Sequence, residues 1–175
     1  MPLIRNAEQV EDRYVRILDD APVPDEGAVL IPAARFLADA SDLLGRSGPT
    51  GVIWPNDRDV AELALYLDRL SLVALVFPAF KDGRAYSQAR TLRERLHFRG
   101  ELRATGDVLR DQFLFLHRAG FDAYEVKKPA DAQAFCEAVR RYDVFYQPAA
   151  DGAVSALRQR LILGTRRRTV SELAS

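Results

Sequence analysis

The stretch SLVALVFPAFKDGRAYSQARTLRERLHFRGELRATGDVLRDQFLFLHRAGFDAYE, Ser71 to Glu125, decides the fold. An apolar run, Leu72 to Phe77, ends at Pro78 and reads as a buried strand. The polar turn Phe80-Lys81-Asp82-Gly83-Arg84 follows, and helical spacing then runs from Ala85 to Leu96. Gly100 to Thr105 predicts a second strand, Gly106-Asp107 a turn, and Val108 to Arg118 a second helix. Gly120 stops that helix before a third short strand, Phe121 to Val126. Strands alternating with helices predict parallel pairing through crossover connections. The charged and glycine-bearing turns all follow strands, so they are expected at one edge of the sheet. That edge is where open α/β sheets and barrels both place their sites.

Outward from this centre, Gly51-Val52-Ile53-Trp54 predicts another strand. Val60, Leu63, Ala64, Leu67 and Leu70 then form an apolar stripe at helical spacing, with Asp57 or Asp59 as N-cap. Earlier still, Ala33 to Leu44 has helical spacing, and Ala21 to Gly27 is a linker by its prolines and glycine. Leu3-Ile4 and Tyr14 to Leu18 are expected to form a short antiparallel N-terminal β arm. On the other side, Asp131 to Tyr142 predicts a helix, Val144 to Tyr146 a last strand, and Val154 to Leu163 a final helix. The expected class is α/β, a mainly parallel sheet of five or six strands built from βα units. An open sheet and a partial, TIM-barrel-like curl both fit. Glu101 and Arg103 favour the curl, because they suit an inward strand face. One domain over 1–175 is expected: arm and linker 1–24, βα core 25–150, then a C-terminal helix and mobile tail 151–175.

Composition narrows the function. Lys plus Arg and Asp plus Glu each total 25, so no net field draws the chain to nucleic acid or to a membrane. No apolar run is long enough to span a bilayer, and no signal-peptide pattern opens the chain. Cys136 is the single cysteine, so an intrachain disulfide is excluded and a cytoplasmic setting is expected. There is no dinucleotide fingerprint, CxxC pair or cluster-ligand set, so no cofactor and no metal are expected. His97 and His117 are isolated, and Cys136 follows Phe135 on an apolar helical face.

Three turns or strands carry candidate chemistry. In the first, Lys81 and Arg84 place positive charge beside a helix start, Asp82 is positioned to cap it, and Gly83 suits a positive φ. In the second, strand alternation turns Glu101, Arg103 and Thr105 to one face and Leu102 and Ala104 to the other. If that face is buried, Glu101 and Arg103 must pair with each other or with other charges, and Asp82, Arg84 and Asp107 are the expected outside partners. In the third, Gly106-Asp107 precedes a helix that Asp107 is placed to cap, a better reading than a metal pair with Asp111. Together Lys81, Asp82, Gly83, Arg84, Glu101, Arg103, Gly106 and Asp107 are expected to form one patch that binds an anion or a partner. No catalytic residue is assigned.

The segments Phe77 to Arg93, Gly100 to Gln112 and Arg118 to Asp122 resemble the bacterial domain-of-unknown-function family 934 (DUF934). The resemblance is dense over Ser71 to Val126 and looser from the N-terminus to Tyr146. It implies an oxidoreductase associated with sulfite reduction, met alongside a sulfite or nitrite reductase. The residues themselves carry no redox signature. The expected role is therefore an auxiliary protein of assimilatory sulfite reduction that docks the reductase or its electron donor. The alternative is a small enzyme or an oxyanion-binding protein using the same patch. A homo-oligomer is left open.

Overall fold

The computed structural model describes residues 2–6, 8–18 and 20–141. The expected strand at Val144 to Tyr146, the helix at Val154 to Leu163 and the tail lie outside the described residues. Eight strands form one sheet: β1 (Leu3–Arg5), β2 (Glu8–Val10), β3 (Tyr14–Arg16), β4 (Ala28–Pro32), β5 (Thr50–Trp54), β6 (Leu72–Phe77), β7 (Glu101–Gly106) and β8 (Ala123–Glu125). Their spatial order is β2-β1-β8-β7-β6-β5-β4-β3. From β3 to β8 every neighbour is parallel, whereas β1 runs antiparallel to both β2 and β8.

This order corrects two expectations. The sheet has eight strands rather than five or six, because the N-terminal segments join it. They do so at opposite edges, so the antiparallel partner of β1 within the N-terminal region is β2 and not the Tyr14 segment. Tyr14–Arg16 lies parallel to β4 at the far edge from β1 and β2. Three-residue strands are too short for periodicity to fix their partners.

Chain length then dictates the shape. Val10 and Tyr14 are four Cα steps apart, at most about 15 Å. Laid flat, eight strands at about 4.8 Å spacing would hold the two edges about 34 Å apart. The sheet therefore curls, and the result is an open half-barrel. Arg16 of β3 bonds to Glu125 of β8, five strands away in the sheet, which only a curled sheet permits.

The helices are α1 (Ala33–Ala38), α2 (Ala40–Gly45), α3 (Arg84–Arg90), α4 (Phe113–Arg118) and α5 (Pro129–Arg141). They bring Phe36, Leu43, Ala89, Phe113, Leu116 and Phe135 onto the sheet face carrying Val29, Ile31, Val52, Trp54, Val73, Leu75, Leu102 and Tyr124. Phe113 meets Phe135 edge-on at 4.7 Å. Each such side chain, fully buried, contributes about 1.5–3 kcal/mol. The opposite, inward face holds a smaller apolar cluster of Tyr14, Ala28, Leu30, Leu72 and Ala74.

The connections are less regular than predicted. The single helix expected over Ala33 to Leu44 breaks at Asp39, whose φ of −121° leaves the helical region. Of the stripe from Val60 to Leu70, Val60, Leu63, Leu67 and Leu70 are buried as expected and Ala64 is exposed, because the segment winds as a 3-10 helix over Val60–Leu63 and further i→i+3 turns. Asp59 does cap its start, accepting from the Ala61 amide at 2.9 Å. Helix α3 continues as π-helical turns over Thr91–Arg95. Helix α4 begins only at Phe113, after a 3-10 turn over Arg110–Gln112. Among the described residues, no helix is long and apolar enough to cross a membrane.

Candidate functional site at the mouth of the curled sheet

Arg103 is the centre of the inward face. Its side chain is wholly buried, and burying an unpaired guanidinium would cost several kcal/mol. Sequence alternation required a partner, and the structure supplies three. Two nitrogens of Arg103 grip Asp12 in bidentate fashion, at 2.7 and 3.1 Å. Its Nε donates to Glu101 at 3.0 Å, and its Nη1 donates to Glu125 at 3.2 Å. The guanidinium also lies 5.4 Å from the centre of the Tyr14 ring.

The network continues at both ends. Glu125 accepts a 2.6 Å hydrogen bond from Thr105 and a shorter one from Arg16, which also donates to Thr105 at 3.2 Å. At the other end Glu101 lies 2.9 Å from Arg5. That last contact is electrostatic only, because the Nε and Nη2 of Arg5 form no hydrogen bond among the described residues. Three arginines (Arg5, Arg16, Arg103) thus face three carboxylates (Asp12, Glu101, Glu125), and the interior is neutral.

Burial and partners pull the ionisation in opposite directions. Burial lowers the pKa of Arg103, but the hydrogen bond to Asp12 and the charges of Glu101 and Asp12 outweigh it and leave it raised. For Asp12, burial pushes up, while the Arg103 hydrogen bond, the Tyr14 amide and the Arg103 charge pull down further. Both groups are therefore held in their charged forms.

Above this network, at the C-terminal ends of β6, β7 and β8, lies a cleft of about 940 Å³. Phe77 and Pro78 give it apolar wall, and Arg16, Thr105, Asp107, Glu125 and Lys127 give it polar groups. Asp107 ties the three strand ends together. It accepts the Phe80 amide at 3.1 Å and the Lys127 ammonium at 2.6 Å. Lys127, and next the Phe80 amide, lower its pKa. Gly106 is required beside it: its φ is +96°, and a Cβ there would lie 2.4 Å from the Phe77 carbonyl oxygen.

The predicted residues therefore separate into three places. Gly106 and Asp107 line the mouth. Glu101 and Arg103 belong to the interior network and pair with each other, as alternation allowed; their further partners are Asp12, Glu125 and Arg5 rather than Asp82, Arg84 or Asp107. Arg103 stands three residues, about 10 Å, short of the end of its strand, too far to meet the turns. Lys81, Asp82, Gly83 and Arg84 lie on the turn outside the cleft. Asp82 there accepts the Arg84 amide and pairs with the Arg84 side chain at 2.6 Å. That pairing, Arg84 first, depresses the Asp82 pKa.

Two local readings fail. Gly83 has φ −84°, so its conformation does not demand glycine. Asp107 does not cap a helix, because the chain runs extended past Leu109 before the 3-10 turn begins; Gln112 instead accepts the Leu109 amide. Sequence reasoning missed Asp12, Arg16, Glu125 and Lys127. Glu125 had a signal, as a carboxylate in a strand beside the one bearing Arg103. Asp12 and Arg16 had none without the strand order.

The family model described as a bacterial protein of unknown function (DUF934) matches residues 51–157. The chain belongs to that family. No curated protein matches it. The DUF934 segment contains Arg103, Thr105, Asp107, Glu125 and Lys127, so most of the mouth belongs to the family region. Arg5, Asp12 and Arg16, which complete the ion-pair network, come from outside it.

Proposed function

We propose that this DUF934 protein is an auxiliary protein of assimilatory sulfite reduction that docks a pathway protein at the strand-end mouth. The pathway rests on the family resemblance; the mode of action rests on the site. One observation carries it: the charged groups of the mouth are already ion-paired and those with displaced pKa values are held in their ionised forms. General acid–base catalysis needs a group poised near neutrality, whereas Asp12 and Asp107 are moved away from it. A fixed array of alternating charges is instead suited to recognising a complementary protein surface and fixing its register. Lys127 is the accessible end of that array, with a side chain 55% exposed. The oxyanion reading has less support, because Arg84 is paired with Asp82 and Arg103 is buried among three carboxylates.

The test combines capture with an activity assay. Immobilised wild type and Lys127→Glu are exposed to purified sulfite reductase and to its electron donor, and sulfite reduction is measured with and without each. Wild type is expected to retain one of the two and to raise turnover, and Lys127→Glu to lose both effects while keeping its circular dichroism. If wild type neither binds nor alters turnover, the pathway assignment falls. If Lys127→Glu matches wild type, the mouth is not the docking surface.

A further inference from the structure

The charges of the mouth are not equally reachable. The side chains of Arg16 and Lys127 are 46% and 55% exposed, whereas those of Asp12 and Asp107 are 28% exposed and that of Glu125 only 6%. The cations therefore stand outermost, over carboxylates set more deeply.

Hydrogen bonding divides the groups in the same way. Every carboxylate oxygen of Asp12, Asp107 and Glu125 already accepts. Asp12 takes its bonds from Arg103 and the Tyr14 amide, Asp107 from Lys127 and the Phe80 amide, and Glu125 from Arg103, Arg16 and Thr105. The cations are less engaged. Among the described residues Arg16 donates through Nη2 alone, which leaves its Nε and Nη1 hydrogens unused, and Lys127 uses one of its three on Asp107. What the mouth has left to offer is charged N–H donors on half-exposed side chains.

Such donors are best matched by carboxylates. The cleft of about 940 Å³ is at the upper end of small-molecule sites and far larger than one small oxyanion. Val76 and Pro78 also give it an accessible apolar wall. A nucleic-acid backbone suits it poorly: Arg16, Lys127 and the Arg103 beneath them are matched by Asp12, Asp107 and Glu125, so the site lacks the net positive charge that a run of phosphates requires. We infer, resting on the docking role of the mouth, that it receives a short acidic segment of a partner protein, whose carboxylates accept from Arg16 and Lys127 while an apolar neighbour lies on Val76 and Pro78.

The probe is the peptide Gly-Glu-Asp-Phe-Glu-Asp-Gly with both ends blocked, and its control has Gln and Asn in place of Glu and Asp. Each is titrated into the ¹⁵N-labelled full chain, and the backbone amides of Gly106 and Lys127 are followed. The acidic peptide is expected to move both saturably, with Kd below about 1 mM at low salt, and to weaken as salt rises to about 0.15 M, because its contacts are exposed. The amide control is expected to bind at least about tenfold more weakly. Lys127→Gln and Arg16→Gln should each weaken the acidic peptide at least about threefold; if Arg16→Gln loosens β3, Lys127→Gln decides alone. Equal binding of the two peptides, an unchanged response in Lys127→Gln, or an equal response to a single-stranded oligonucleotide of the same charge overturns the inference. Capture of sulfite reductase or its donor judges the docking role separately. Lys127-dependent capture without a response to the acidic peptide sinks the acidic segment alone, and a response to the peptide without capture sinks the pathway assignment alone.

Discussion

Arg103→Ala is expected to be among the most damaging single substitutions of an arginine in this protein. The guanidinium is fully buried, and its loss leaves Asp12, Glu101 and Glu125 close together without their common cation. Breaking a buried ionic cluster by removing one member costs about 3–5 kcal/mol. For a chain of 175 residues, at about 2–4 °C per kcal/mol, that is a fall in Tm of about 6–20 °C. Arg95, exposed at the end of the π-helical turns, is the control, and Arg95→Ala should cost under about 1 kcal/mol. Urea and thermal unfolding, followed by circular dichroism, give both numbers. A second readout locates the damage. Asp12 precedes the exposed Arg13, so freeing it from Arg103 should open the β2–β3 connection to trypsin at Arg13 while the core still resists. Equal losses for Arg103→Ala and Arg95→Ala, or unchanged cleavage at Arg13, would refute the claim that Arg103 clasps the N-terminal segment.

Three further outcomes follow from the same geometry. Gly106→Ala combines a left-handed φ with a Cβ at 2.4 Å from a backbone oxygen, and should cost at least about 2 kcal/mol in chemical denaturation. Because the Asp12 pKa is lowered on folding, its contribution is fully present above about pH 4, the unfolded value, and is lost as pH falls through the folded value. Trypsin replaced by an acid-stable protease should therefore find the β2–β3 connection protected at pH 5 and opened progressively below about pH 4. Lys81→Ala/Arg84→Ala should leave partner binding at the mouth unchanged, since both residues lie outside the cleft and Arg84 is neutralised by Asp82. A loss of binding as large as that of Lys127→Glu would restore the turn to the site.

The parallel centre was legible because strands such as Leu72–Phe77 are apolar on both faces and the segments between them are amphipathic. The burial of Arg103 was legible for a related reason: alternation placed a charge where a central strand allows none unpaired. Its partners were not. Asp12 lies 91 residues away in sequence, and it reaches Arg103 only because β2 and β3 take opposite edges of the sheet. Three-residue strands carry no periodicity from which that placement can be read. The amphipathic stripe at Val60 to Leu70 shows a different limit. Hydrophobic spacing fixes which residues are buried, Ala64 apart, and i→i+3 turns bury Val60, Leu63, Leu67 and Leu70 as a regular helix would.

The ion pairs also explain how the sheet stays curled without closing. A complete barrel joins its last strand to its first by a hydrogen-bonded ladder and so has no edges. Here β2 and β3 share no ladder. Side chains make the joint instead: Asp12, between the two edges, is gripped by Arg103, and Arg16 of β3 is held by Glu125 and Thr105. A ladder would fix the edges through backbone groups of any sequence, whereas this joint depends on six particular charges. An apolar interior of the same volume would be at least as stable, so stability alone does not account for it. What the charged interior adds is access, because its upper members, Arg16 and Glu125, also line the mouth. A partner that drew Arg16 away from Glu125 would loosen the edge that Arg16 secures. Docking at the mouth, as proposed here, would thereby be coupled to the position of β3.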